Sequence, residues 1–311
     1  MTNYLITGSS GLIANEIIKL LSSDDNAKIF CQSRSNSMPK HLIKFKDKIE
    51  WINVDLSTPI TSELLNEIDV VFHLSAQTSV YKAREDTIKD LNSNFLDGVR
   101  LLEFFKNKDI AFIFAGSATQ KGFTKDITIN NTTSNPETFY DLHKTLLEMY
   151  LIQFIKEKWI KGCILKLANV YGARLDSQSN DRGVLDKVFN KAKKNENIEI
   201  YGGNFYRDYI HIKDVANAFI HASKNIKKCN AKSYFIATGQ SIKLKDAFQS
   251  VIDIASKKYN TQPSIEYKEM PANFYLQESR SVKYDIQETI KDLDWTPKIS
   301  FIEGIKQTYE Q

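Results

Sequence analysis

Three residues of this chain could together move a proton: Ser117, Tyr140 and Lys144. Tyr140 and Lys144 stand at the ends of Tyr140-Asp141-Leu142-His143-Lys144, a spacing that puts both on one face of a helix. A nearby ammonium, joined by the positive ring of a bound nicotinamide, would stabilise the phenolate and pull the Tyr140 phenol toward neutrality. Tyr140 could then trade a proton with a carbinol or ketone while hydride moves to or from the cofactor. Ser117 would hydrogen-bond the same oxygen and hold it. The spacing alone is weak, because this chain of 14 tyrosines holds a second such pair, Tyr209 and Lys213. Position separates them. Tyr140 opens a helix one loop after an apolar run, Ile110 to Ala115, that leads into Gly116-Ser117-Ala118-Thr119.

The second chemical signal is the stretch from Tyr4 to Ala14. A short apolar run, Tyr4-Leu5-Ile6, enters the small-residue turn Thr7-Gly8-Ser9-Ser10-Gly11, and apolar residues at helical spacing follow from Leu12 to Leu21. Strand, glycine turn and helix aim unpaired N–H groups at a pyrophosphate. Gly8, Ser10, Gly11, Leu12 and Ile13 are therefore the candidates to hold a dinucleotide. The tip of the next strand, Cys31-Gln32-Ser33-Arg34-Ser35, carries no acid to accept from an adenosine ribose. Ser33 and Arg34 suit a 2′-phosphate instead, which favours NADP(H) and leaves NAD(H) possible.

Composition narrows the classes. The net charge of +4 is small for 311 residues, and no basic block interleaved with aromatics suggests a nucleic-acid partner. No apolar run is long enough to span a membrane, and the first strand begins so near Met1 that no signal peptide is expected. Cys31, Cys163 and Cys229 are widely spaced and odd in number, pointing to buried thiols in a cytoplasmic protein. Five histidines without ligand spacing predict no metal site.

Strands alternate with helices through Lys28–Cys31, Ile49–Val54, Asp69–Leu74, a helix over Ile88–Lys106, Ile110–Ala115 and a helix from Tyr140 to about Lys158. This order predicts an α/β fold, a doubly wound parallel sheet with a smaller, mainly C-terminal α/β substrate lobe. The cofactor lobe is expected over residues 1–165 and about 212–240, and the substrate lobe over about 166–211 and 241–311. The Tyr140 helix has two apolar faces, Leu142, Leu146 and Met149 on one and Leu147, Leu151, Phe154 and Ile155 on the other. One must cover the sheet. The other suggests pairing with the same helix of a second copy, unless a C-terminal segment covers it.

With these residues in place, the whole chain resembles an extended short-chain dehydrogenase/reductase of the nucleotide-sugar epimerase, dehydratase and reductase group. Thr7-Gly8-Ser9-Ser10-Gly11-Leu12-Ile13-Ala14 is similar to the family's glycine loop, and Val54-Asp55-Leu56 to its adenine-contacting step. His73-Leu74-Ser75-Ala76-Gln77 resembles the strand along the cofactor, and Asn94 falls where the family places an asparagine. Asp55, Leu56, Leu74 and Ala76 thus join the expected cofactor contacts, and Gln77 and Thr119 the expected substrate contacts. Leu165 to Gly172 resembles LRxxNVYG, and Arg207 to Ala216 resembles RDYIHVxDVAxA. The resemblance implies a nucleotide-diphosphate sugar substrate, its diphosphate held by Asn169, Arg207 and Arg280. It also implies a homodimer.

Three departures narrow the reaction. Ala118 and Thr119 replace the acid pair of sugar 4,6-dehydratases and cannot do that work. Gln120-Lys121 and Lys166 replace the family's Val-Tyr and Arg, changes expected to act on substrate choice or packing. A reductase must draw on a reduced cofactor pool, so Arg34 favours an NADPH-dependent reductase of a 4-keto nucleotide sugar, with Tyr140 as proton donor. The alternative is an NAD-dependent 4-epimerase. A non-catalytic NADP-binding relative is more distant, since a pure binder has no use for Ser117, Tyr140 and Lys144 together.

Overall fold

The computed structural model of the chain describes residues 1–60, 63–122, 128–172, 183–271 and 279–310. Its first half runs β1 (Thr2–Thr7), α1 (Leu12–Ser22), β2 (Ala27–Ser33), β3 (Ile49–Asn53), β4 (Val70–His73), α2 (Val80–Glu85), α3 (Thr87–Leu91), α4 (Asp97–Phe104) and β5 (Ala111–Ser117). Then come β6 (Thr128–Ile129), α5 (Phe139–Lys156), β7 (Lys161–Leu167) and β8 (Asn169–Tyr171). The second half holds α6 (Val184–Lys193), β9 (Ile198–Tyr201), β10 (Tyr206–Arg207), β11 (Tyr209–His211), α7 (Ile212–Lys224), α8 (Ile226–Cys229) and β12 (Ser233–Ile236). It closes with β13 (Ile242–Lys243), α9 (Leu244–Tyr259), β14 (Ile265–Lys268), β15 (Lys283–Tyr284), α10 (Gln287–Leu293) and α11 (Phe301–Tyr309).

Seven strands form one parallel sheet in the order β12-β7-β5-β4-β1-β2-β3. Successive strand residues point to opposite faces, and here both faces are apolar. Ile6, Ile29, Phe72 and Ile113 pack with Ile17 and Ile18 of α1 and Phe219 of α7. Their neighbours Leu5, Phe30, Val71 and Phe112 pack with Leu101 and Leu102 of α4 and Leu147 and Leu151 of α5. The sheet is a doubly wound Rossmann-type α/β layer. β12 joins its edge beside β7, while β9–β14, β8–β11, β10–β13 and β6–β15 are separate two-stranded pairs. A third core, with Val188, Phe189, Phe248 and Val251, lies under α6, α9 and α11.

The uninterrupted helix expected over Ile88–Lys106 is broken by a π turn at Asn92–Leu96. Side chains compete with the regular ladder there: Asn92 Nδ2 donates to the Ile88 carbonyl, and Asn94 Nδ2 donates to the Asp90 carboxylate and the Gln77 carbonyl. Just beyond, Gly98 lets α4 approach the buried Leu147 of α5, since a Cβ at this position would overlap both Leu147 methyl groups. Gly98→Ala should therefore cost about 1–3 kcal/mol by overpacking, of which alanine's helix propensity returns at most about 1 kcal/mol. A lowered melting temperature is expected in calorimetry; an unchanged or raised one would show that this close approach is not needed.

Candidate active site

β5 ends at Ser117, and α5 begins one loop later, its N-terminus capped by Thr138, whose Oγ1 accepts from the Asp141 N–H at 3.1 Å. This cap sets Tyr140 in the first turn. The Ser117 hydroxyl stands close enough to the Tyr140 phenol to lower its pKa. Ser117 Oγ also lies 2.7 Å from Thr119 Oγ1, which donates to Asp141 Oδ1 at 2.5 Å, while Thr138 Oγ1 donates to Asp141 Oδ2 at 2.7 Å. Thr119 is thus committed to ordering Ser117 and Asp141. Lys144 lies buried one turn on, its Nζ donating to the Ala115 carbonyl at 3.0 Å and sitting 4.8 Å from the centre of the Phe114 ring.

In the chain alone the electrostatics run the other way from the lowering expected with a nicotinamide bound. Burial, then the Asp141 and Asp90 carboxylates, hold the Tyr140 phenol well above its ordinary range, against a smaller lowering by Ser117. Burial also brings Lys144 down to about 7, with Asp90 pushing the other way. The protein's own groups therefore do not pull Tyr140 toward neutrality. Added positive charge beside the phenol would be needed, and a nicotinamide ring could supply it.

Behind these residues lie two buried polar networks that the sequence pattern did not reveal. Gln120 Oε1 accepts from the Ser117 N–H at 2.7 Å, and Gln120 Nε2 donates to Glu148 Oε2 at 2.7 Å. Lys166, wholly buried, pairs with Glu148 Oε1 at 3.0 Å, and Ser134 and Ser233 also donate to this carboxylate. The two departures at Gln120 and Lys166 thus meet on one acid of α5. Their effect is on packing, holding the Ser117 strand end to the catalytic helix. Glu148 stands four residues after Lys144, and that spacing was the available signal. The second network centres on Asp90, whose Oδ1 accepts from Gln77 Nε2 and Asn94 Nδ2, each at 2.7 Å, and whose Oδ2 lies 2.6 Å from His143 Nδ1. The Gln77 amide, expected to meet substrate, is committed to Asp90 and to the Ser79 backbone.

At the glycine turn, Gly8 has φ +64°, and a Cβ there would lie 2.9 Å from the Ser75 Cα. Only glycine fits. The Gly8 N–H donates to Gln32 Oε1 at 3.1 Å, and Gln32 Nε2 donates to the Val54 carbonyl at 2.5 Å, so Gln32 braces the turn from beneath. Thr7 Oγ1 accepts from the Leu74 and Ser75 N–H groups at 3.0 and 3.1 Å and lies 3.0 Å from His73 Nδ1. Burial and the Lys144 charge lower His73 to about 3, so the ring is neutral and can accept the threonine proton. His73 is a structural residue that keeps Leu74 to Ala76 beside the glycine turn. Gly11 precedes α1 with no side-chain cap on the helix, and Ser10 is exposed. Leu12 and Ile13 form its first turn, an arrangement into which a pyrophosphate would fit. At the far end Ser33 is buried, Arg34 is exposed, and Asp55 is held low first by the Ser57 N–H and more weakly by Arg34. The Leu56 side chain points into the core, and its carbonyl accepts from Arg100.

The remaining polar residues gather although they are far apart in sequence. Leu167 pairs with Ser117 across the sheet, and Asn169 follows it, donating to the Asp208 carbonyl at 3.0 Å. Arg207 Nη1 donates to the carbonyl of Arg280. Arg280 is buried, and its own Nη1 has no partner among the described residues. Burial raises the adjacent Asp208 to about 6, and its Oδ1 accepts from Thr238. A cavity of about 670 Å³ lined by Ile200, Gly202, Phe205, Lys245, Tyr267 and Met270 lies elsewhere and touches none of the catalytic candidates. Among the described residues no group of three His, Cys, Asp or Glu could hold a metal, and no helix is long and apolar enough to cross a membrane.

Comparison with known proteins agrees with this geometry. The chain is 28% identical over 312 residues to a provisionally named UDP-glucose 4-epimerase of Methanocaldococcus jannaschii, covering 97% of this chain and 96% of that one. It is 27% identical to an ADP-L-glycero-D-manno-heptose-6-epimerase of Brachyspira hyodysenteriae, over 86% of this chain and 84% of the relative. The crystal structure of a Thermotoga maritima UDP-glucose 4-epimerase with UDP-glucose superposes with a TM-score of 0.85 at 25% identity, covering 99% and 98% of the two chains. The family model described as the NAD dependent epimerase/dehydratase family matches residues 4–237. That span is well over half of the chain, and the chain belongs to this family.

Proposed function

We propose that the chain is an NAD-dependent nucleotide-sugar 4-epimerase. The 4-ketoreductase expected from the sequence has less support, because the full-length relatives are epimerases. The observation that carries the proposal is the joining of two sets of groups through β7 and Asn169. One is the Ser117, Tyr140 and Lys144 cluster, and the other is a pair of arginines of which Arg280 is buried with an unpartnered donor. A buried guanidinium of this kind suits an anionic diphosphate. Ala118 is buried and apolar, and Thr119 is bonded to Ser117 and Asp141, so neither supplies the acid and base that loss of water would need.

In this reading Asn169, Arg207 and Arg280 hold the diphosphate and leave the sugar free to turn. Gly8, Ser10, Gly11, Leu12 and Ile13 hold the pyrophosphate of the cofactor, with Leu74 and Ala76 beside it and Asp55 toward the adenosine. A bound nicotinamide would supply reversible hydride transfer at C4. Tyr140 takes the O4 proton and returns it, Ser117 holds O4, and Lys144 supports the phenolate. The cofactor lobe comprises residues 1–165 and about 212–240, a division supported by α7 packing under the main sheet and β12 joining it. The second reading, an NADPH-dependent 4-ketoreductase, is favoured by Ser33, Arg34 and the lack of an acid at the end of β2.

Denaturing the purified protein and identifying released nucleotide separates these readings. Tightly held NAD supports the epimerase; an empty site that prefers NADPH on titration supports the reductase. Tyr140→Phe should lower turnover of a UDP-hexose at least 100-fold, in line with the loss of general acid–base catalysis, while NAD affinity stays within about twofold by calorimetry. Wild-type turnover would remove Tyr140 as the proton carrier. We further propose a homodimer through α5 and the α2–α4 segment, supported by the exposed apolar Ile88 at 65% and Met149 at 64%, with Leu142 and Tyr150 also exposed. Met149→Lys should shift the mass in light scattering from dimer toward monomer. A monomeric wild type would end this part of the proposal.

A further inference from the structure

The residues around Asp90 carry a function that neither the glycine turn nor the YxxxK pattern requires. Asp90 is 1% exposed and sits in α3, where a buried carboxylate must be neutralised or richly hydrogen-bonded. Two of its partners, Gln77 and Asn94, are neutral amides on Oδ1. The third, His143, lies 2.6 Å from Oδ2 and is itself buried. Of the three it alone can carry a positive charge. His143 is also one residue from Lys144 and three from Tyr140 on the same helix.

We propose that His143 and Asp90 are positioning residues for the proton-transfer pair, the imidazolium cancelling a carboxylate buried within reach of both Tyr140 and Lys144. The reach is evident in the charges: Asp90 raises the phenol and raises the ammonium. An uncompensated Asp90 opposes the phenolate that proton removal requires. A protonated His143 relieves that opposition and leaves Lys144 easier to deprotonate. The proposal rests on the reading of Tyr140 and Lys144 as catalytic residues, but its first test does not use catalysis.

Other charges on the surrounding elements are accounted for. Lys82, Arg84 and Glu85 of α2, Lys89 of α3 and Glu137 before α5 are exposed. Asp97 and Arg100 of α4 pair with one another at 3.1 Å. Asp141 is held by Thr119 and Thr138, and Glu148 by Lys166. Of these groups His143 is the one placed directly on Asp90, its Nδ1 2.6 Å from Oδ2.

The test follows the Lys144 amine by NMR in purified protein labelled at lysine, with the signal assigned by Lys144→Arg. His143→Asn leaves Asp90 uncompensated and should raise the Lys144 titration midpoint by about one pH unit. Asp90→Asn should lower it by about one unit, and His143→Lys should restore it toward wild type. Circular dichroism checks that each variant is folded. An unmoved Lys144 midpoint in folded His143→Asn overturns the proposal, and that variant suffices if Asp90→Asn does not fold. In turnover, the alkaline rise of kcat should move up in pH in His143→Asn with little change in KM. A purely structural role would lower stability without shifting the profile. Loss of the epimerase reading would show in Tyr140→Phe instead and would leave the NMR result standing.

Discussion

Lys144 is the tie on which the site depends. Its ammonium-bearing side chain is buried, and its Nζ donates to the Ala115 carbonyl of the strand that ends in Ser117. A buried lysine is expensive unless it is bonded, and burial accordingly draws its charge down to about 7. That contact fixes α5 against β5 and brings the phenol of Tyr140 to the Ser117 hydroxyl. The helix is then held at a second point, where Glu148 meets Lys166 and Gln120. Removing one partner of such a buried pair typically costs about 3–5 kcal/mol, so this second tie has little freedom to shift.

Much of this was legible in the order of residues. The apolar runs gave the sheet, because a parallel sheet buried on both faces needs strands without polar alternation. The glycine turn and the serine at the end of β5 were readable for the same reason: each stands at a strand end, where the chain must turn and the backbone meets ligand. The arginines were reached through motif resemblance, and the fold brings them together, since the Arg280 carbonyl accepts from Arg207.

What escaped was carried by pairs of residues from different elements. Gln120 and Lys166 each looked like an isolated departure, and only the packing shows that both bond Glu148. Asp90 and His143 are separated by 53 positions, and nothing in either neighbourhood predicts the contact. The π turn escaped for a related reason. Within that turn the Asn94 side chain bonds Asp90 and the Gln77 carbonyl, tertiary contacts that local propensity does not contain. The sign of the Tyr140 shift in the chain alone also required the fold, since sequence reasoning counted the lysine and a bound nicotinamide but not the burial and the two carboxylates that raise the phenol.

The end of β2 shows how one residue's job changes once the fold is seen. The lack of an acid there was read as a preference for a 2′-phosphate. In the fold, Gln32 spends its amide on the Gly8 N–H and the Val54 carbonyl, so it serves the turn rather than the ribose. The Gly11 N–H is spent on the Gly8 carbonyl at 2.8 Å, so a pyrophosphate at this turn would be met by the unpaired N–H groups of the first turn of α1, a grip that carries no preference at the 2′ position. An enzyme that returns its hydride to the same substrate needs that grip and a held sugar oxygen, but no exchange of cofactor with a reduced pool. Arg34, exposed and reaching Asp55 only weakly, adds charge at the far end of the cleft.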